Sequence, residues 1–62
     1  MCVIIIKEQD NIINHATLLA SAMKNPDGLG IVWLDTYEIE KIESAKYEKL
    51  LTKRPFIAHF RY

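Results

Sequence analysis

The sequence predicts an α+β fold: a small, mostly antiparallel sheet with two helices against it, in the order β-α-β-β-α-β. Three observations carry this expectation. Val3-Ile4-Ile5-Ile6 is an unbroken β-branched run, the pattern of a strand buried on both faces. Tyr37–Ile42 and Phe56–Tyr62 alternate with a strand period of two. Between the strands, Leu18, Leu19, Ala22 and Met23 recur at helical spacing.

The elements follow in chain order. Val3–Ile6 is expected to be the central strand, leaving through Lys7 and Glu8 into a turn at Gln9-Asp10-Asn11. A helix is predicted over His15–Lys24, with Asn14 as N-cap because its short side chain accepts from first-turn amides. Asn11 is the other possible start. Lys24 suits the negative helix end, and Pro26 turns Asn25 away from helical geometry. The loop Asn25-Pro26-Asp27-Gly28-Leu29-Gly30 follows, where each glycine permits a positive φ or a close backbone approach. Ile31–Leu34 reads as a second buried strand, Asp35-Thr36 as a tight turn, and Tyr37–Ile42 as a half-exposed strand hairpinned to it.

Ser44 is the expected N-cap of a short helix reaching about Thr52, with Ile42, Tyr47, Leu50 and Leu51 inside. Glu43 sits near its positive start and Glu48 can pair with neighbouring lysines. After Pro55 the last strand places Phe56, Ala58, Phe60 and Tyr62 on one face and Ile57, His59 and Arg61 on the other. No turn or cap follows Tyr62, and a sheet that stops this way is expected to have an open edge. The 62 residues make one small domain, or the N-terminal part of a larger fold. A domain of that size buries only about 60% of its unfolded surface.

Composition narrows the function classes. Eight basic and eight acidic residues give zero net charge, which argues against direct nucleic-acid binding through a basic footprint. Nothing approaches the roughly 20 apolar residues of a membrane span, and no signal peptide is evident. The single Cys2 forms no intrachain disulfide and fits a reducing compartment, so a cytoplasmic location is expected. His15 and His59 are too few for a metal site, and no cofactor motif is present. Lys53, Arg54 and Arg61 fall within nine residues without an acid. They read either as ordinary solvated charge at a strand entrance or as a patch facing an anion or an acidic partner.

Cys2 becomes N-terminal when Met1 is removed, and its own α-amine can then act as base for the thiol. An intact Met1 ties that amine into a peptide bond and removes the base. Free cysteine is otherwise often a small buried hydrophobe. His59 and Arg61 share one strand face, where Arg61 can hold a carboxylate in a bidentate fork.

Three motifs in order, Met1-Cys2-Val3-Ile4, then Asn25-Pro26-Asp27-Gly28-Leu29-Gly30, then Ala58-His59-Phe60-Arg61-Tyr62, resemble the opening of the class II glutamine amidotransferases. These belong to the N-terminal-nucleophile hydrolases, and phage-encoded relatives open in the same way. The resemblance implies Cys2 as nucleophile, Arg61 as holder of the glutamine α-carboxylate, and a two-sheet sandwich. Val3 stands where the family usually has glycine. The family's Ala-Thr-His-Gly continuation, its later Asn-Gly oxyanion hole and its later substrate-binding Asp have no counterpart in these residues. Loss of one oxyanion donor costs roughly a hundred- to a thousand-fold in rate. The expectation is therefore a non-enzyme with a relic Cys2, buried or semi-buried.

On size and opening sequence the chain is similar to small phage regulators that bind host RNA polymerase. That similarity implies a phage protein of the host cytoplasm that grips a host protein, RNA polymerase first, and inhibits or alters transcription. Trp33, Lys53, Arg54, Phe60, Arg61 and Tyr62 are its candidate partner-binding residues, with Tyr37 a further exposed aromatic. The alternative is a fragment of a glutamine amidotransferase, with Cys2 catalytic and Arg61 ligand-binding.

Overall fold

The computed structural model describes residues 2–62; Met1, whose removal or retention decides whether Cys2 has a free α-amine, lies outside them. The order is β1 (Val3–Lys7), α1 (His15–Lys24), β2 (Gly28–Trp33), β3 (Ile39–Ile42), a 3-10 segment (Ser44–Leu50) and β4 (Phe56–Arg61). The four strands form one antiparallel sheet in the order β1-β4-β2-β3, so the α+β class and the element order are as predicted.

The position of β1 is not. It is an edge strand paired only to β4, and Ile4 and Ile6 remain 67% and 72% exposed. A β-branched run shows strand propensity but does not say how many faces are covered. The inner strands are β4 and β2, and the sheet has the open edges expected of it, at β1 and β3.

One face of the sheet carries the core. Leu29, Ile31 and Trp33 of β2 and Phe56, Ala58 and Phe60 of β4 join Leu18 and Ala22 of α1 and Leu50 of the 3-10 segment. Val3, Ile5, Ile13, Ile42 and Tyr47 pack at its margin. Trp33 meets Phe56 edge-to-face with centroids 5.8 Å apart, a geometry that adds to their area burial. Lys7 ends β1 on the same face. Its ammonium lies 5.3 Å from the Phe56 ring centroid and donates to the carbonyls of Glu8 and Asn11.

Helix α1 starts as expected: the Asn14 Oδ1 accepts from the Ala16 amide at 2.8 Å. Its inward stripe differs, however. Leu18, Ser21 and Ala22 are buried, while Leu19 and Met23 face outward. Ser21 satisfies its hydroxyl by donating to the Thr17 carbonyl, which lets a polar residue sit inside. The second helix is a kinked 3-10 segment that closes at Leu50. Leu51 lies outside it and is exposed. Glu43 pairs loosely with Lys46 and Lys49 pairs with Glu40; Glu48 takes part in none of the ion pairs among the described residues.

Tyr37 belongs to the β2–β3 turn, not to β3. It adopts φ +63°, a left-handed conformation uncommon for a bulky residue. There its amide donates to the Trp33 carbonyl. Asp10 takes a similar φ of +69° in the β1–α1 turn, where an aspartate is better tolerated.

Ser44 was expected to cap the second helix, but Glu43 occupies the cap position. The Ser44 hydroxyl is buried and bridges two segments instead. It donates to the Asn25 carbonyl at 2.9 Å and accepts from the Gly28 amide at 3.1 Å. Ser44→Ala leaves both groups short of a partner, and each unsatisfied buried group costs about 1–3 kcal/mol. Urea denaturation is expected to show Ser44→Ala destabilised by about 2 kcal/mol or more, and Ala45→Ser, on the exposed neighbour, near wild type.

Candidate functional site

Strand alternation puts the remaining side chains on the face opposite the core, and the pairing register sorts them into rows. Ile6, Ile57, Val32 and Ile39 stand side by side across all four strands. Ile4, His59, Gly30 and Lys41 form the next row. Arg61 and Gly28 begin a third. The β1–β4 pairing begins at Val3–Phe60, with Cys2 just outside β1. Rows lie about 6.6 Å apart along the strands. The face thus grades from a wholly aliphatic end to a polar end, and neither α1 nor the 3-10 segment covers it.

Cys2 directly precedes β1 and Arg61 ends β4, each one residue beyond the Val3–Phe60 pair at which the β1–β4 register begins. Both are exposed, so Cys2 is not the buried relic the sequence suggested. Arg61 lies over Gly28. A Cβ built on Gly28 would stand 3.5 Å from the guanidinium, and Gly28 has φ +153°, so a side chain here would be strained. The Arg61 Nη2 also leans on the Asp27 carbonyl at 3.4 Å, and the Asp27 amide donates to the Arg61 carbonyl at 2.9 Å. The Asp-Gly loop and the end of β4 are therefore fastened to each other.

A cavity of about 260 Å³ opens at this end, lined by Asp27, Gly28, Gly30, Lys41, His59 and Arg61 among others. Cys2 is not among its lining residues. Lys41 and Gly30 were not singled out together from the sequence, because only the β2–β3 register brings them alongside His59.

The remaining candidates lie elsewhere. Trp33 and Phe60 are 1% and 0% exposed, so their rings belong to the core and present no binding surface. Lys53 and Arg54 precede β4, whereas Arg61 ends it, roughly 17 Å away along the strand. The three cations therefore form no single patch. Arg54 is itself engaged: it stacks 4.0 Å from the Trp33 ring centroid and makes a bidentate pair with Asp35 at 2.8 and 3.0 Å. Tyr62 and Tyr37 are exposed. His15 meets Tyr47, its Nε2 3.2 Å from the hydroxyl, which ties α1 to the 3-10 segment.

No family model, curated protein or solved structure matches the chain. Among the described residues no group of three or more His, Cys, Asp or Glu is placed to hold a metal ion, and no helix is long and apolar enough to cross a membrane.

The electrostatics concentrate around Trp33. Its indole N–H donates to Glu40 at 2.8 Å, and Lys49 pairs with the other carboxylate oxygen. The Lys49 hydrogen bond, then that from Trp33, holds the Glu40 carboxyl below its ordinary 4.5. Arg54 likewise holds Asp35 below 3.8 and is itself raised. A depressed carboxylate contributes stability above its unfolded pKa and loses it as pH falls through the folded value. The melting temperature is expected to fall as pH drops through and below the ordinary carboxylate range. In Glu40→Gln that fall is expected to be shallower, as measured by thermal melts followed through Trp33 fluorescence. A fall as steep as wild type would remove Glu40 as a source.

Proposed function

We propose that these residues form the nucleophile-bearing part of a glutamine amidotransferase-type site, with Cys2 as nucleophile and Arg61 as holder of the glutamine α-carboxylate. The observation that supports this most is the fastening of the Asp-Gly loop to Arg61 at the end of β4, the end at which the β1–β4 pairing begins and which the exposed Cys2 directly precedes. Residues 2, 27–28 and 61 come from three distant parts of the chain, and these are the three motifs of the resemblance. The uncovered aliphatic row supports the same reading, since a two-sheet sandwich needs an apolar face on each sheet.

The chemistry assigned to these residues is limited and definite. With Met1 removed, the α-amine of Cys2 takes the thiol proton. The thiolate adds to the glutamine side-chain carbonyl, the C–N bond breaks, and the same proton leaves with ammonia. Water then hydrolyses the thioester to glutamate. The guanidinium of Arg61 fixes the α-carboxylate through two parallel N–H donors. Stabilisation of the tetrahedral oxyanion requires donors outside this set.

A second reading is favoured by the same uncovered face. Contiguous exposed aliphatic surface marks interaction sites, and the open edges of β1 and β3 can each accept a partner strand. In this reading a phage-encoded chain binds a host protein, RNA polymerase on the similarity in size and opening sequence, and alters transcription without catalysis. Its contact residues are then Ile4, Ile6, Ile39, Arg61 and Tyr62, with Lys53 at the opposite end of β4.

The readings separate in two measurements on the natural gene product. The amidotransferase reading expects Met1 removed in the mass spectrum and ammonia release from glutamine. Cys2→Ala abolishes that release, and Arg61→Lys chiefly raises KM because a point charge replaces the fork. Met1 retained, with no ammonia release dependent on Cys2, would sink it. Under the binding reading Cys2→Ala leaves partner capture unchanged, while Ile6→Lys or Arg61→Glu weakens it.

A further inference from the structure

Gly30 is the residue that neither reading uses. It sits inside β2, the strand between β4 and β3, where glycine weakens a strand by losing side-chain packing and chain entropy. Nothing local requires it. Its φ is not in the left-handed region, and a Cβ built on it meets no atom within 4 Å. Its neighbour Gly28, by contrast, has both a positive φ and Arg61 overhead. Gly30 therefore leaves a gap in the exposed face, and the register names what rims it: His59 on one side, Lys41 on the other, and Arg61 one row further along β4.

His59 and Lys41 stand on strands two spacings apart, about 10 Å between backbones, wide enough for a small molecule seated on Gly30. The rim holds two permanent cations and one imidazole against the single carboxylate of Asp27. Asp27 belongs to the loop before β2, whereas the three basic groups stand on the strands themselves. Glu40 and Ile42, the β3 neighbours of Lys41, alternate onto the core face. The acid nearest in sequence to Lys41 is thus turned away and engaged with Trp33 and Lys49.

From this we infer that the gap over Gly30 is a binding site for a small oxyanion, a carboxylate or phosphoryl group, held by Lys41, His59 and Arg61. Arg61 is shared with the amidotransferase reading, but Gly30, Lys41 and His59 are not, and the site does not depend on Cys2.

The test is a titration of the isotope-labelled chain with inorganic phosphate and, separately, with acetate, followed through the backbone amide resonances. The expected result is saturable shifts centred on Gly30, Lys41 and His59 with at least one of the two anions. Phosphate alone assigns a phosphoryl ligand, and acetate alone a carboxylate. Gly30→Val is expected to abolish the shifts while melting at or above the wild-type temperature, because valine fits both the open space and the strand. Lys41→Gln and His59→Gln, both on exposed or half-exposed positions, are each expected to weaken binding about two- to fivefold. Cys2→Ala is expected to bind as wild type, so a failed glutaminase assay leaves this site standing. Absence of saturable shifts with both anions overturns the inference, as does a Gly30→Val or Lys41→Gln variant that binds like wild type.

Discussion

The structure depends on β4 being buried between two neighbours. Phe56, Ala58 and Phe60 are all fully inaccessible, and β4 is hydrogen-bonded to β1 on one side and β2 on the other. Without it, β1 would have no partner and the β2–β3 hairpin would stand alone, and a lone two-stranded hairpin is at best marginally stable in water. Trp33 is clamped from two sides by the same arrangement, edge-on by Phe56 and from above by Arg54. The last six-residue strand therefore holds together elements that all precede it in the chain.

That constraint also builds the candidate site. Side chains alternate strictly, so fixing Phe56, Ala58 and Phe60 inward fixes Ile57, His59 and Arg61 on the uncovered face. A slip of one residue would exchange the two sets, and the large apolar gain from the inward set forbids it. The positions of His59 and Arg61 are thus set by the hydrophobic core on the far side of the sheet. No polar interaction of their own is needed beyond the weak contact of Arg61 with Asp27.

Much of the fold was legible in the chain because it rests on local signals. Asn14 and Pro26 bound α1, and the alternation of 56–61 identifies β4 and both its faces. What was not legible depends on pairing. The β-branched run of β1 looks the same whether one or both faces are covered, so its edge position stayed hidden. Ser44 has the chemistry of a helix cap, and only the approach of the Asn25–Gly28 loop reveals it as a bridge. Trp33 and Phe60 carry aromatic side chains suited equally to an interface and to a core. In the site, Cys2 and Arg61 were each recognisable by motif. The place of Lys41 and Gly30 beside His59 exists only once the strand order β1-β4-β2-β3 is known.

The grading of the uncovered face limits what can cover it. The row Ile6–Ile57–Val32–Ile39 spans the full width of the sheet, and Ile6 and Ile39 remain largely exposed. At about 25 cal/mol per Å² of apolar surface, that row favours a covering layer. The row of Arg61 and Gly28 does not, since burying a guanidinium without a partner is costly. A second sheet or a partner protein would therefore seat on the aliphatic end and stay open over the polar end. A cleft formed in that way has apolar walls on one side and Arg61, His59 and Lys41 at its mouth. Charged groups in such a partly desolvated cleft interact more strongly with a small anion than they do in open water. What covers the aliphatic row thus decides how strongly the polar row can bind, and this holds for an amidotransferase-type site and for a docking module alike.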